Sequence, residues 1–459
     1  MGQAGTVEGN PLWYEPIGKL LLRFAVPSII SFLVSALYNI VDQIFIGQGV
    51  GMLGNAATNV AFPLTTISTS IALLIGVGAA SNFNLEQGRG NRERAGQIAG
   101  SGIAMLALFG IALAAAVLLF LNPLLLLFGA TEEVLPYAQS YTGITAFGIP
   151  LLIFTTGGSH MIRADGSPRY AMYCMLSGAL LNTVLDPLFI FRLDMGIAGA
   201  ALATVLGQAV SAGMAISYFP RFRSVRITWR LLRPRGDCMR AIAALGAAAC
   251  FNQLAMTLVQ ITMNNTLTFY GALSDYGQNI PLACVGVISK VNVVLMAFII
   301  GTAQGCQPIC GFNYGAKNYP RVKKTYLTAA AVVTAISTAA FLCFQIFPRQ
   351  IVAIFGEGSE AYFHFAERYF RIYMMLVFLN GIQPLTANFF TSIGKAKMGI
   401  LMSMTRQILF LLPLIVIFPR FFGIDGVMYA GPIADGVAAL LSAFLAGREL
   451  HDMGKPRTV

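Results

Sequence analysis

The sequence predicts an all-α, polytopic membrane protein of twelve transmembrane helices in two pseudo-symmetric six-helix lobes. Three observations carry that prediction. The chain is 56% hydrophobic and 11% charged, where a soluble domain carries about 25% charged residues. Apolar runs of about twenty residues or more, long enough to cross a bilayer as helices, recur along its whole length. Short motifs of the first half also return in the second at one constant offset. Phe128-Gly129 and Glu133 recur as Phe355-Gly356 and Glu360, and Gly88-Arg89-Gly90-Asn91 as Gly315-Ala316-Lys317-Asn318. Gly196-Ile197-Ala198-Gly199 recurs as Gly423-Ile424-Asp425-Gly426, and every pair is 227 positions apart.

In chain order, the first six spans are expected at Leu20–Gly47, Ala56–Ser81, Ala95–Leu121, Pro136–Ile162, Pro168–Phe191 and Gly196–Phe219. The second six are expected at Cys238–Tyr270, Leu282–Gly311, Thr325–Phe347, Ala361–Phe390, Met398–Phe418 and Gly423–Ala446. An even number of spans per repeat gives both halves one orientation, related by an axis along the membrane normal. The domains are therefore read as 1–225 and 226–459, with the basic segment Pro220–Arg240 as connector. Interior prolines, among them Pro27, Pro63, Pro150, Pro187, Pro308 and Pro384, each remove a helix hydrogen bond and permit kinks.

Charge follows topology rather than a nucleic-acid partner. The net charge is +11, but the Lys and Arg residues sit in alternate connecting loops. Arg89, Arg92, Arg94, Arg221 to Arg235, Lys317 to Lys324, and Arg448 to Arg457 share one side. Arg192, Arg349 and Arg420 stand opposite, with Glu132, Glu133, Asp194, Asp275, Glu357 and Asp425. The positive-inside rule then makes both termini cytoplasmic in a multi-pass plasma-membrane protein. The seven Cys lie within or at the edges of apolar spans. Cys306 and Cys310, four apart on one helix, do not build a metal site by themselves.

Two acids break the apolar pattern of the first half. Asp42 lies about 5 residues, or roughly 7–8 Å of rise, from the end of the first span. Asp186 lies at a matching depth in the fifth. A charge within a span costs roughly 2.5–3.5 kcal/mol, so intramembrane carboxylates point to function. Close together, two carboxylates exchange a proton or share a bound cation. Asn182 stands one turn before Asp186 on the same face, and its amide offers hydrogen bonds to the acid or a carbonyl oxygen to sodium. Thr204 lies at a depth from which its hydroxyl could join them, and Asn39 is a further candidate. Packing of the acids against polar groups is the alternative role.

No Gly-x-x-x-x-Gly-Lys-Ser/Thr phosphate loop occurs, so ATP is not the expected energy source. No His, Glu or Cys cluster suggests a metal, and no cofactor is expected. Ion-coupled transport remains, with H+ or Na+ as the coupling ion.

The motifs then resemble a known family. Pro27-Ser28-Ile29-Ile30, Tyr38-Asn39-Ile40-Val41-Asp42, Gly47 and Gly54-Asn55-Ala56-Ala57 are similar to the multidrug and toxic compound extrusion (MATE) transporters. So are Gly88-x-Gly90-Asn91 with Gly315-Ala316, Arg163-Ala164-Asp165-Gly166 and Asn182-x-x-x-Asp186-Pro187. The resemblance implies export of bulky, often cationic compounds by alternating access against a proton or sodium gradient. It also implies a cation site in the N-terminal lobe at Asp42, Asn182, Asp186 and Thr204.

The resemblance implies that members with the ion site in the C-terminal lobe use carboxylates in the seventh and tenth spans. Here those spans offer Gln260, Asn264 and Gln383, candidates for a substrate cavity, but no interior acid, which favours the N-terminal site. That lobe carries Lys290, Arg406 and Asp435 within its spans. They are expected to form one charge cluster, either bracing the lobe or lining a substrate cavity. The expected partners are drug-like small molecules and the lipid bilayer, with a monomeric chain. A flippase for lipid-linked or anionic lipid substrates is the alternative. An intramembrane aspartyl enzyme is disfavoured because both acids fall in one half of the repeat, and a channel because no symmetric pore ring appears.

Overall fold

A computed structural model describes residues 7–277, 279–354 and 359–455. Phe355, Gly356, Glu357 and Arg457, used above for the repeat and the charge pattern, lie outside the described residues. Among those described, eleven helices are long and apolar enough to cross a membrane, and the secondary structure is helical throughout.

The chain opens with α1 (Ile17–Gly49), α2 (Met52–Gly88), α3 (Arg92–Leu119) and α4 (Leu135–Ala164). It continues with α5 (Pro168–Pro187) and α6 (Gly196–Tyr218). Then come α7 (Gly236–Ala272), α8 (Asn279–Gly315) and α9 (Tyr319–Ile346). The predicted tenth span, 361–390, forms in two pieces, α10 (Glu360–Tyr373) and α11 (Ile382–Ser392), with a 3-10 turn at Val377–Leu379 between them. Glu360, Glu367, Arg368 and Arg371 make α10 amphipathic, and Pro384 has no N–H to offer the Asn380 carbonyl. Arg368 pairs instead with Asp425 at 2.6 Å. The eleventh span runs through α12 (Ala396–Met404), a π-turn (Thr405–Leu411) and α13 (Leu412–Ile417), and α14 (Asp425–Asp452) closes the chain.

The chain divides into two compact units that do not follow a single cut. One comprises residues 1–13 and 30–250, the other 14–29 and 251–459. Each unit thus takes the opening half of the other half-chain's first long helix. Glycines make this packing possible. In the first unit, a Cβ on Gly78 would lie 2.0 Å from the Ile242 carbonyl oxygen, and one on Gly246 would lie 1.6 Å from that of Leu74. In the second, a Cβ on Gly305 would meet the Ala25 nitrogen at 2.6 Å, and one on Gly301 would meet Ile29 Cγ1 at 2.5 Å. Only a helix without a side chain there lets two backbones come so close.

The internal repeat reaches the arginines and the turns. Arg94 of α3 pairs with Asp237 at the start of α7. Arg321, 227 positions later, donates to the Glu15 carbonyl just before α1. Gly196 (φ 55°), which opens α6, and Gly423 (φ 58°), two residues before α14, both take a positive φ. Lys317 (φ 60°) adopts the backbone of Gly90 (φ 77°), a conformation costly for a residue with a Cβ.

Candidate functional site in the first unit

Close packing of α5 on α6 positions the polar cluster. A Cβ on Gly207 would fall 2.7 Å from the Gly178 carbonyl oxygen, so the two backbones touch. One turn beyond Gly178, Asn182 therefore faces Thr204. Its Nδ2 donates to the Asp186 Oδ1 and to the Thr204 Oγ1, each at 3.3 Å. The helix leaves Asp186 through Pro187 into a π-turn, Leu188–Arg192. A helix register changed in this way is common at functional sites.

From α1, Asp42 lies close enough to Asp186 for the two carboxyls to act on one another. All four side chains are buried, with Asp42 7%, Asn182 2%, Asp186 0% and Thr204 9% exposed. The polar accounting is incomplete in one direction. Asp42 Oδ1, Asp186 Oδ2 and Asn182 Oδ1 have no hydrogen-bond donor. Neither acid forms an ion pair among the described residues. Buried acceptors without donors are costly, and a shared proton or a small cation with oxygen ligands would satisfy them.

Two tyrosines join this cluster. Tyr38 lies one turn before Asp42 on α1, near both acids. Tyr141 of α4 lies beside Thr204 and near both acids as well. No local pattern in the fourth span marks Tyr141, since only its position opposite α1 and α6 makes it part of the site. Asn39 is not brought in. It is exposed, and its amide caps the Ser35 carbonyl at 2.8 Å within its own helix.

In the second unit, the Arg406 Nε donates to the Asp435 Oδ1 at 2.5 Å, with Arg406 13% and Asp435 2% exposed at the side chain. Tyr373 at the end of α10 lies beside Arg406 and Asp435. Lys290 departs from the expected three-residue cluster. It is exposed on α8 and does not act on Asp435, whose charged neighbour is Arg406. One i,i+3 or i,i+4 spacing cannot relate these residues, because they stand on three different helices. The remaining polar candidates satisfy one another or the backbone. Gln260 donates to Asn264 along α7 at 2.9 Å, and buried Gln383 donates to the Met402 carbonyl. Cys306 and Cys310 place their sulfurs 3.4 Å apart on α8. Among the described residues, no group of three His, Cys, Asp or Glu side chains could hold a metal ion.

Outside the spans, Asp165 between α4 and α5 accepts from the Tyr218 hydroxyl at 2.8 Å and from the backbone nitrogens of Arg223 and Ser224 at 2.7 and 3.0 Å. Burial outweighs these bonds and raises its carboxyl above the ordinary range.

Comparison with known proteins places the chain among membrane transporters. The MatE family model matches residues 27–188 and 248–417. The multidrug export protein MepA of Staphylococcus aureus (strain MRSA252) is 23% identical over 432 residues, covering 94% of each chain. A FAD transporter of Shewanella oneidensis is 25% identical over 440 residues, covering 94% of this chain and 95% of its own. Among solved structures, an outward-facing multidrug resistance MATE family transporter superposes with a TM-score of 0.89 at 23% identity, covering 99% of both chains. A MOP superfamily transporter from Pyrococcus furiosus superposes with a TM-score of 0.88 at 23% identity and the same coverage.

Proposed function

The chain belongs to the MatE family of membrane transporters, and from that premise we propose that it is a secondary active multidrug exporter. It exchanges amphipathic, often cationic, organic compounds for H+ or Na+ by alternating access. Asp42, Asp186, Asn182 and Thr204, with Tyr141, bind the coupling ion. The protein does no covalent chemistry, needs no cofactor, and works as a monomer in the plasma membrane with both termini in the cytoplasm.

One observation carries the reading. Two buried carboxylates face each other without a basic side chain, and three acceptor oxygens around them lack donors. Such a cluster is stable only with a proton or cation bound, so its occupancy follows the ion gradient. A protein that binds the ion in one conformation better than in another shifts its own equilibrium between them. The multidrug export relatives supply the substrate class.

The test is efflux of a fluorescent cation from proteoliposomes, with pH and sodium gradients imposed separately. One gradient should drive efflux and the other should not. Efflux with neither gradient, or failure with both, would overturn ion coupling. A second reading is favoured by the FAD transporter relative, namely export of anionic compounds or flipping of anionic lipids. Uptake of an anionic dinucleotide into inverted vesicles, with no response to cationic dyes, would select it.

A further inference from the structure

The segment joining α6 to α7 is not a slack tether. It runs across the first unit as an ordered strap with an apolar underside. Phe222 is 8% exposed and stacks on Phe219 and edge-on against Phe83. Val225, Ile227 and Leu232 pack on the same core. A Cβ on Gly100 would fall 2.1 Å from the Leu231 carbonyl oxygen, so the strap lies directly on the α3 backbone. Asp165 holds its start through the backbone of Arg223 and Ser224, and Ser101 accepts from the Arg235 nitrogen at its end.

The outward side has a different chemistry. Arg221, Arg223, Arg226, Arg230 and Arg233 are all at least partly exposed, and no described ion pair engages them. Arg235 pairs with Asp237 at 3.4 Å. Among these arginines stands Trp229, 88% exposed, an unusual position for an indole facing only water.

We propose that this strap is a binding surface for the headgroups of anionic phospholipids. The strap connects the ends of two helices long enough to span a membrane, which puts it at the level where the chain leaves the hydrocarbon. That is the plane of the headgroup phosphates. Guanidinium forks match phosphate oxygens in pairs, and tryptophan settles at the interface because its ring is apolar with one polar edge. A basic run beside a span attracts anionic lipid for the same reason. The backbone anchors make the surface preformed, so binding does not first have to order the chain. An acidic protein segment would match the charge, but neither the exposed indole nor the depth of the strap calls for one.

The chain has two tryptophans, so Trp13→Phe leaves Trp229 as the sole indole reporter. The protein is placed in nanodiscs of phosphatidylcholine and phosphatidylglycerol, with one lipid at a time brominated near its glycerol. Brominated phosphatidylglycerol should quench Trp229 more than brominated phosphatidylcholine at equal mole fraction. The preference should fall by about five-fold or more, the worth of one arginine at an anionic surface, in Arg226→Gln/Arg230→Gln/Arg233→Gln. Rising salt should erase it in the Trp13→Phe protein itself, a measurement that does not depend on the triple variant folding. Equal quenching by the two lipids overturns the proposal, as does a preference unmoved by salt or by loss of the arginines. So does quenching by neither lipid with a Trp229 response to soluble polyglutamate, which would make the partner an acidic protein.

Discussion

The first unit buries two carboxylates against one another, whereas the second buries one carboxylate against a guanidinium. Asp42 and Asp186 have Asn182 and Thr204 around them and no base. Asp435 has Arg406 at 2.5 Å. The second site carries its counter-charge as a covalent part of the chain, so it is complete by itself. The first lacks a positive charge within the chain, and in the proposed reading a proton or cation supplies it. The two half-chains share a repeat in spans, turns and arginines, but not in this chemistry. Fold symmetry therefore does not imply two equivalent ion sites.

The largest expected effect comes from removing the unpaired acids. Asp42→Asn or Asp186→Asn should abolish gradient-driven efflux from proteoliposomes while the protein stays folded, because the amide mimics a protonated carboxyl. Wild-type efflux in purified Asp42→Asn would show that the ion binds elsewhere, with Asp435 the next suspect.

Asp435→Asn should act on stability instead. It strands the Arg406 charge in the second unit, at a cost of about 3–5 kcal/mol. Thermal unfolding in detergent measures this, and Arg406→Met/Asp435→Asn should recover much of the loss. Additive losses in that double-mutant cycle would mean that the pair does not interact. Lys290→Met should add independently to Asp435→Asn, since Lys290 stands apart.

Thr204→Ala removes a neutral partner from the first site, so coupling should weaken by only about five-fold, the worth of one hydrogen bond of roughly 1 kcal/mol. The efflux rate at a fixed gradient reads it. An effect as large as that of Asp42→Asn would instead make the hydroxyl an obligatory ligand.

An exposed pair gives the lower end of the scale. Arg349 bonds Glu360 at 2.7 Å and holds its carboxyl below the ordinary range. A lowered folded-state pKa contributes stability above the unfolded-state value and loses it as pH falls through the folded one. Both groups are solvated, so Glu360→Gln should leave the unfolding midpoint near neutral pH unchanged within error. A marked drop there would show that the rim pair matters as much as the buried one.

The sequence by itself determined the membrane class, the approximate spans, the internal repeat and the two acids of the first half. These are local or periodic properties. Hydropathy is averaged over a window, and an acid within an apolar run stands out wherever its partners lie. The tenth span departs because α10 carries four charges and Pro384 interrupts the hydrogen bonding of α11 with the turn before it, so its average apolarity concealed a break. Partnership across helices belonged to the tertiary structure. It brought Tyr141 beside Thr204 and separated Lys290 from Arg406 and Asp435. It also assigned the opening halves of α1 and α7 to opposite units. Each residue rotates a side chain about 100° around its helix, so which neighbour it meets depends on how helices rotate and cross. In the first unit that rotation was decided where Gly178 and Gly207 let two backbones touch.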